Sequence, residues 1–364
     1  MAKSQSIARK TAELMLEDGA VFQGIAFGHV QPSAGEVVFS TGMVGYQESL
    51  TDPSYTGQIL AMTYPLVGNY GVTKAESYAV YPKRMYESDT IHIRGLIVSS
   101  AIDHPSHYLS TQSLDRWLQK EKIPGVYGID TRALTQHLRE RGTMLGRIQV
   151  GSQSVDWYDP DKENLVAHAS CTRPRRFGKG KHRIVVIDCG VKHGILRAFV
   201  DRSCRVMQVP WDFPADRIFH EADGVIISNG PGNPALVDRT VVELRRLISR
   251  RMPLWGICMG HQLLARALGA KTYKLPYGHR GHNQPVINEL TGKSSITSQN
   301  HGFAVQEKSL PRNVSVWFRN LNDGTVEGFK HLSRPLWGVQ FHPEASPGPL
   351  DTNGLFDQFL RSIR

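Results

Sequence analysis

Gly256-Ile257-Cys258-Met259-Gly260 has the spacing of a G-x-S-x-G nucleophile elbow, with cysteine in the serine position. An apolar run (253–257) precedes it and a helical pattern (260–269) follows. Two glycines allow the tight turn that holds such a nucleophile in a strained backbone conformation. The N–H groups and positive dipole end of the following helix would stabilise a thiolate. The plainer alternative is a structural cysteine buried beside a strand–helix turn. Cys171, Cys189 and Cys204 lack this frame and are expected to be inert. No CxxC occurs, so no metal site is expected on cysteine spacing, and four free thiols fit a reducing compartment.

A thiol nucleophile needs a base, and the base needs an orienter. The stretch GVQFHPEASPGP (338–349) offers His342 and Glu344 after an apolar run. At a strand end, His342 could reach the sheet edge that carries Cys258; by itself the pair would read as an exposed turn. His261 lies in the first turn of the elbow helix and is expected to pack there rather than to act as base. A third piece, SNGPGNP (228–234), follows a buried strand. Its glycines would let backbone N–H groups approach a ligand or an oxyanion, although an ordinary turn has the same composition. G-x-G-x-x-G is absent, and Gly292-Lys293-Ser294 lacks the first glycine of a P-loop, since that position is Ile287. No ATP site is expected in this chain.

These groups need a scaffold that brings strand ends together. Residues 184–364 alternate strand-like and helical patterns: IVVID (184–188), a helix over 195–202, a strand over 205–209, a buried strand within 223–232, a helix over 236–250, then the elbow strand and helix. The alternation predicts an α/β fold with a mostly parallel sheet flanked by helices. Short strands are expected over 285–340 and a terminal helix over 355–363. Residues 1–150 read as a separate mixed α/β domain, with strands near 21–22, 36–39, 58–63 and 96–100 and helices over 113–122 and 131–141. Residues 151–183 read as a connector.

The chain has 364 residues and a formal charge of +10. The segment RPRRFGKGKHR (173–183) holds six Lys and Arg and no acid, and without it the charge is +4. So local an excess argues against a nucleic-acid-binding face. No apolar run approaches the ~20 residues needed to cross a bilayer. The stretch with Lys3, Arg9 and Lys10 lacks the apolar core of a signal peptide, so a cytoplasmic location is expected.

SNGPGNP, GICMGHQ and FHPE, in that order, resemble the motifs of class I (triad-type) glutamine amidotransferases. Residues 40–72, 129–142, 299–305 and 342–349 further resemble the small, glutamine-hydrolysing subunits of carbamoyl-phosphate synthase. The resemblance implies that the Cys258 thiolate attacks the side-chain amide of glutamine, His342 acts as base and acid, and Glu344 holds the imidazolium. It implies an oxyanion hole from backbone N–H groups near Gly232 and Met259. It also implies glutamine contacts at Ser54, Gly230, Gly232, Met259, Gln262, Asn300, Gly302 and Phe303. Ser54, in DPSY, would otherwise read as a turn serine. Met259 stands where many relatives have Leu, a change that a backbone contact would survive. The resemblance implies no cofactor here, ATP and magnesium on a large synthetase partner that receives the ammonia, and a role in arginine and pyrimidine synthesis. The readings left beside it are a glutaminase unit of another synthase, a free-standing cysteine hydrolase and a non-catalytic regulatory subunit.

Overall fold

The computed structural model describes residues 10–363 apart from 75, 79 and 80, so Lys3 and Arg9 lie outside the described residues. The chain divides into two compact units that interleave in sequence. One comprises residues 1–46, 57–74 and 93–160; the other comprises 47–56, 75–92 and 161–364. The contiguous blocks expected from composition are therefore not the compact units, because two excursions of the N-terminal half, 47–56 and 75–92, cluster with the second.

The first unit is built on a closed barrel, ordered Thr11–Leu16, Met144–Val150, Ser33–Ser40, Gln58–Met62, Gly95–Val98, Pro124–Tyr127, Val21–Gly28. Met144–Val150 alternates buried and half-buried residues, as a wall strand must. Closure leaves no strand edge unpaired. Leu114–Lys120 and Thr131–Arg141 are helical. Asp130 caps the second by accepting from Ala133 N at 2.9 Å, and Leu134 and Leu138, four apart, are its buried face.

The second unit is organised by a ten-stranded sheet. Cys204–Pro210, His182–Asp188, Gly224–Ile227, Leu254–Ile257 and Leu336–Val339 are adjacent and mutually parallel. The rest of the sheet is antiparallel: Arg175–Phe177 on one edge, and Val326–His331, Ser294–Val305, Thr272–Asn288 and Val314–Asn320 on the other side. The expected α/β class holds, while "mostly parallel" becomes half parallel.

The parallel strands are continuous apolar runs because helices cover both faces. Asp238–Ser249 buries Thr240, Val241, Leu244 and Leu247, three and four apart. The C-terminal helix Gly354–Ser362 sets Phe356 against Trp255 and Phe199, with ring centroids 5.0 and 5.1 Å apart. No described helix is long and apolar enough to cross a membrane.

Two local expectations change. Thr272–Asn288 and Ser294–Val305 form one long hairpin instead of short strands, because bulges between Lys274 and His279 and between Gly281 and Gln284 absorb the Gly and Pro punctuation. Gly292-Lys293-Ser294 lies at its exposed turn. The connector is also ordered. Leu165–Ala169 is helical with Val166 in the core, and Arg175–Phe177 pairs antiparallel with Cys204–Pro210. Two of its arginines sit beside acids of their own unit, Arg183 on Asp223 at 2.6 Å and Arg176 on Glu221 at 3.4 Å.

Candidate active site

Parallel neighbours end at the same sheet edge, so the chain following each strand of this half is delivered to one place. Cys258 follows Leu254–Ile257. Asn229–Gly232 follows Gly224–Ile227, His342 follows Leu336–Val339, and Lys192 follows His182–Asp188.

Cys258 has φ 54° and ψ −106° and precedes the helix Met259–Ala267. This left-handed conformation is costly for a non-glycine residue and marks a functional turn. The surrounding glycines are obligatory. A Cβ on Gly256 would lie 2.3 Å from the Gly260 carbonyl oxygen, and one on Gly260 would lie 2.0 Å from that of Ile227. Cys258 N–H donates to Val339 O at 2.8 Å, tying the elbow to the strand that leads to His342. The buried thiol donates to the Asn300 carbonyl at 3.7 Å.

His342 Nδ1 lies 2.7 Å from Glu344 Oε1. Nε2 is buried with no hydrogen bond of regular geometry, leaving it available to a substrate proton. Burial alone would push the imidazolium toward neutrality. The Glu344 charge, aided by hydrogen bonding to Cys258 and Glu344, outweighs it and raises the histidine well above its ordinary value. Burial likewise opposes the Glu344 carboxylate, and Lys192 and His342 reverse that effect to hold it low.

Lys192 is fully enclosed. Its Nζ lies 3.1 Å from Glu344 Oε1 and donates to Ala345 O at 2.7 Å. Burial opposes its charge, and Glu344, Glu87 and Asp52 overcome that. Asp188 shapes the turn leading to it by accepting from Gly190 N and Val191 N at 2.9 and 2.7 Å. Arg197 Nη2 pairs with the buried Glu87 at 2.5 Å, and Glu87 also accepts from Gly194 N and from Ser346 Oγ. Burial, with a contribution from the Glu87 charge, pushes Glu48 up to about 7.

The excursion 47–56 reaches the same cleft, which Glu48, Asp52, Lys192, Asn300 and His342 help to line. Ser54 Oγ accepts from Asn229 Nδ2 at 2.9 Å, and Asn229 Oδ1 accepts from Lys192 N at 3.0 Å. Asp52 accepts from Ser54 N at 2.9 Å and from Asn300 Nδ2 at 3.0 Å. Gln262 Nε2 donates to Phe303 O and Gln340 Oε1 at 2.9 and 3.1 Å, leaving its buried carbonyl oxygen unpartnered. Gly302 sits against Arg280, Met259 is buried at the helix start, and Gly232 has φ +80° in the turn after the buried strand. At Gly230 a Cβ would lie 2.0 Å from the Cys189 carbonyl oxygen, so the turn closes directly on the neighbouring strand end. The first N–H groups of a helix have no intrahelical acceptor, so the one beginning at Met259 offers donors beside the thiol.

Residues 185–362 match the family model described as glutamine amidotransferase class-I, and residues 14–148 match the carbamoyl-phosphate synthase small chain, CPSase domain. The chain is 44% identical, over 98% of its length, to the carbamoyl phosphate synthase arginine-specific small chain of Aspergillus oryzae, and covers 81% of that protein. The chain belongs to the carbamoyl-phosphate synthase small-chain family. It is also 47% identical over 97% of its length to the multifunctional protein CAD of Squalus acanthias, and 46% identical over 99% to the mitochondrial carbamoyl-phosphate synthase [ammonia] of Mus musculus. It spans only 16% and 24% of those two proteins.

For this family member, sequence reasoning singled out Cys258, His342 and Glu344 and did not single out the residues that hold them in place. Lys192, Asp52, Asn229 and Glu87 were not singled out. Lys192 carried a usable signal, since it stands just past a buried strand exactly as Cys258 does. His261 is buried against Phe329, at 4.8 Å between ring centroids, with both nitrogens unpartnered; burial pushes it down to about 3. That is a packing residue. Burial also raises the thiols of Cys171, to about 12, and Cys204, to about 11, and that of Cys189 well above its ordinary value. Side chains that converge closely enough to hold a metal lie elsewhere among the described residues, on the antiparallel half of the sheet.

Proposed function

We propose that this chain hydrolyses L-glutamine and hands the ammonia to a large synthetase partner, which makes carbamoyl phosphate from bicarbonate and ATP for arginine and pyrimidine synthesis. The observation that carries the reading is the buried His342–Glu344 pair, with Nδ1 held at 2.7 Å, beside the Cys258 thiol whose hydrogen bonding helps to raise the histidine.

Cys258 gives its proton to His342 Nε2, a transfer that the raised histidine favours, and the thiolate of the resulting ion pair bonds through sulfur to the side-chain amide carbon of glutamine. The carbonyl oxygen becomes an oxyanion facing backbone N–H groups near Met259 and Gly232. Donors of this kind are worth about 3–4 kcal/mol each in the transition state. The carbon–nitrogen bond then breaks as the imidazolium protonates the leaving nitrogen, releasing ammonia and leaving a γ-glutamyl thioester. Water, deprotonated by His342, adds to the thioester carbon; the carbon–sulfur bond then breaks, releasing glutamate, and His342 returns the proton to the departing Cys258 sulfur. Glu344 keeps Nδ1 protonated and compensates the imidazolium, and Lys192 keeps Glu344 ionised. The network of Ser54, Asp52, Asn229 and Asn300 would receive the amino-acid end of the substrate, with Gln262, Gly230, Gly302 and Phe303 completing the pocket.

No cofactor is assigned to this chain; ATP and magnesium belong on the partner. The reading places the protein in the cytoplasm, with neither nucleic acid nor membrane as partner. The test is glutamate release from glutamine by wild type and Cys258→Ala, each alone and with the large subunit. Wild-type activity that rises with the partner and is coupled to carbamoyl phosphate supports the reading. Equal background rates from both proteins would leave a scaffold.

A further inference from the structure

On the antiparallel half of the sheet, three strands converge on a buried cluster of ionisable groups that does not include the thiol. His279 and His301 are directly opposed across the long hairpin, with ring centroids 4.9 Å apart at 87°. Glu327, fully buried on Val326–His331, faces both. Its Oε1 lies 3.2 Å from His279 Nδ1 and 3.6 Å from His301 Nε2. One ligating atom from each of the three lies within 4.8 Å of the others, and all three residues are buried.

The outer nitrogens are committed. His301 Nδ1 lies 2.9 Å from the Phe303 carbonyl, which can only accept, so Nδ1 carries hydrogen and a neutral ring turns the Nε2 lone pair toward Glu327. His279 Nε2 lies 2.9 Å from Asp323 Oδ2, which leaves Nδ1 toward Glu327. A carboxylate or carbonyl on the far nitrogen is how metal-ligating histidines are held and their tautomers fixed. Glu327 Oε2 is buried and has no partner among the described residues. Two lone pairs and a carboxylate converging in a dry interior repel one another unless positive charge lies between them. A proton on His279 and the Asn320 amide, whose Nδ2 lies 3.4 Å from both Glu327 Oε1 and His279 Nδ1, relieve part of this and leave Oε2 unmatched. A divalent cation satisfies all three groups at once.

We propose that His279, His301 and Glu327 bind a borderline divalent cation, zinc foremost. Two imidazoles and a carboxylate suit zinc better than calcium or magnesium, which favour oxygen shells. Zinc bonds of ~2.0–2.2 Å place tetrahedral ligand atoms roughly 3.3 Å apart. The two separations to Glu327 Oε1, 3.2 and 3.6 Å, lie near that value, and the three ligand atoms, all within 4.8 Å of one another, need only a small inward shift of the imidazoles. Gln299 Oε1, 3.2 Å from His301 Nε2, is placed for a fourth position. The site is structural: the cation pins the strand that supplies Asn300, Gly302 and Phe303. The Phe303 carbonyl accepts from both His301 Nδ1 and Gln262 Nε2, so the metal shell and the cleft share one anchor. Cysteine spacing gave no sign of this site, since it uses no cysteine.

The test uses the whole chain and zinc itself. Protein stripped with chelator, reloaded with zinc and desalted is assayed for metal by elemental analysis. Wild type and Cys258→Ala should each retain one zinc per chain, and Glu327→Gln and His279→Asn at least about tenfold less. Cobalt in place of zinc should give visible bands without thiolate charge transfer. Zinc should raise Tm in wild type and leave that of Glu327→Gln, whose fold is checked by circular dichroism, unchanged. No zinc retained by wild type, equal retention by Glu327→Gln, or loss in Cys258→Ala would each overturn the proposal. None of these readouts depends on glutamine turnover.

Discussion

Replacing Lys192 with Met should destabilise the protein by roughly 3–5 kcal/mol near neutral pH, the usual cost of stranding one member of a buried ion pair. The magnitude can be built from the structure. Lys192 Nζ and Glu344 Oε1 are 3.1 Å apart and both fully enclosed. At an effective dielectric constant of about 20, that separation is worth about 5 kcal/mol of attraction. The donation to Ala345 O at 2.7 Å adds about 1.5–3 kcal/mol. Methionine recovers part of the total, because it is apolar and nearly as long and no ammonium must be desolvated. Glu344 is held low in wild type, so its contribution is present above its unfolded value of ~4.5 and fades as pH falls toward about 2. In the variant, burial makes Glu344 a proton acceptor instead. Its deficit should therefore narrow as the medium is acidified from about pH 8 toward about pH 5. Urea titrations across that range measure both quantities. The matching drop in Tm is roughly 6–20 °C at ~2–4 °C per kcal/mol. A change below about 1 kcal/mol, or a deficit that widens in acid, would refute the argument that Lys192 stabilises the buried carboxylate.

Cys258→Gly should abolish glutamate release and yet stabilise the fold by about 1 kcal/mol, since glycine adopts φ 54° without strain; chemical denaturation reads the sign. Glu344→Gln removes the charge that raises His342, so the histidine pKa, followed by nitrogen NMR, should fall from about 10. In wild type that raised value contributes stability that is complete below ~6.5 and lost as pH climbs through about 10, and the variant should lack this alkaline loss. Asp52→Asn sets an amide against Asn300 Nδ2 and should raise KM for glutamine by roughly 5- to 100-fold, equivalent to about 1–3 kcal/mol, with a smaller effect on kcat; steady-state kinetics separate the two.

The sequence was most legible where chemistry and local geometry coincide. The elbow could be read because its glycines, its apolar strand and its helix all lie within residues 253–269. The parallel strands were legible as continuous apolar runs. The antiparallel half was not, because Gly278, Gly281 and Pro285 look like breaks until bulges carry the strand past them. The supporting charges were hidden for another reason. Glu87 meets Arg197 across 110 residues, and nothing near either one in sequence foretells the pairing. Lys192 looks like an ordinary surface lysine unless strand-end logic is applied to every parallel strand rather than to the nucleophile alone.

The interleaving of the chain also sets a schedule for synthesis. Ser54 meets Asn229 across 175 residues, and Asp52 meets Asn300 across 248. At ~5–20 residues per second, Asp52 leaves the ribosome roughly 12–50 s ahead of Asn300. The excursion must wait in water for that time, and its composition (Gln47, Glu48, Ser49, Thr51, Asp52, Ser54) tolerates waiting. The base and its orienter, His342 and Glu344, arrive later still. Under the proposed mechanism, a nascent chain therefore carries Cys258 well before the groups that would put it to work, and ammonia release waits until Glu344 has emerged.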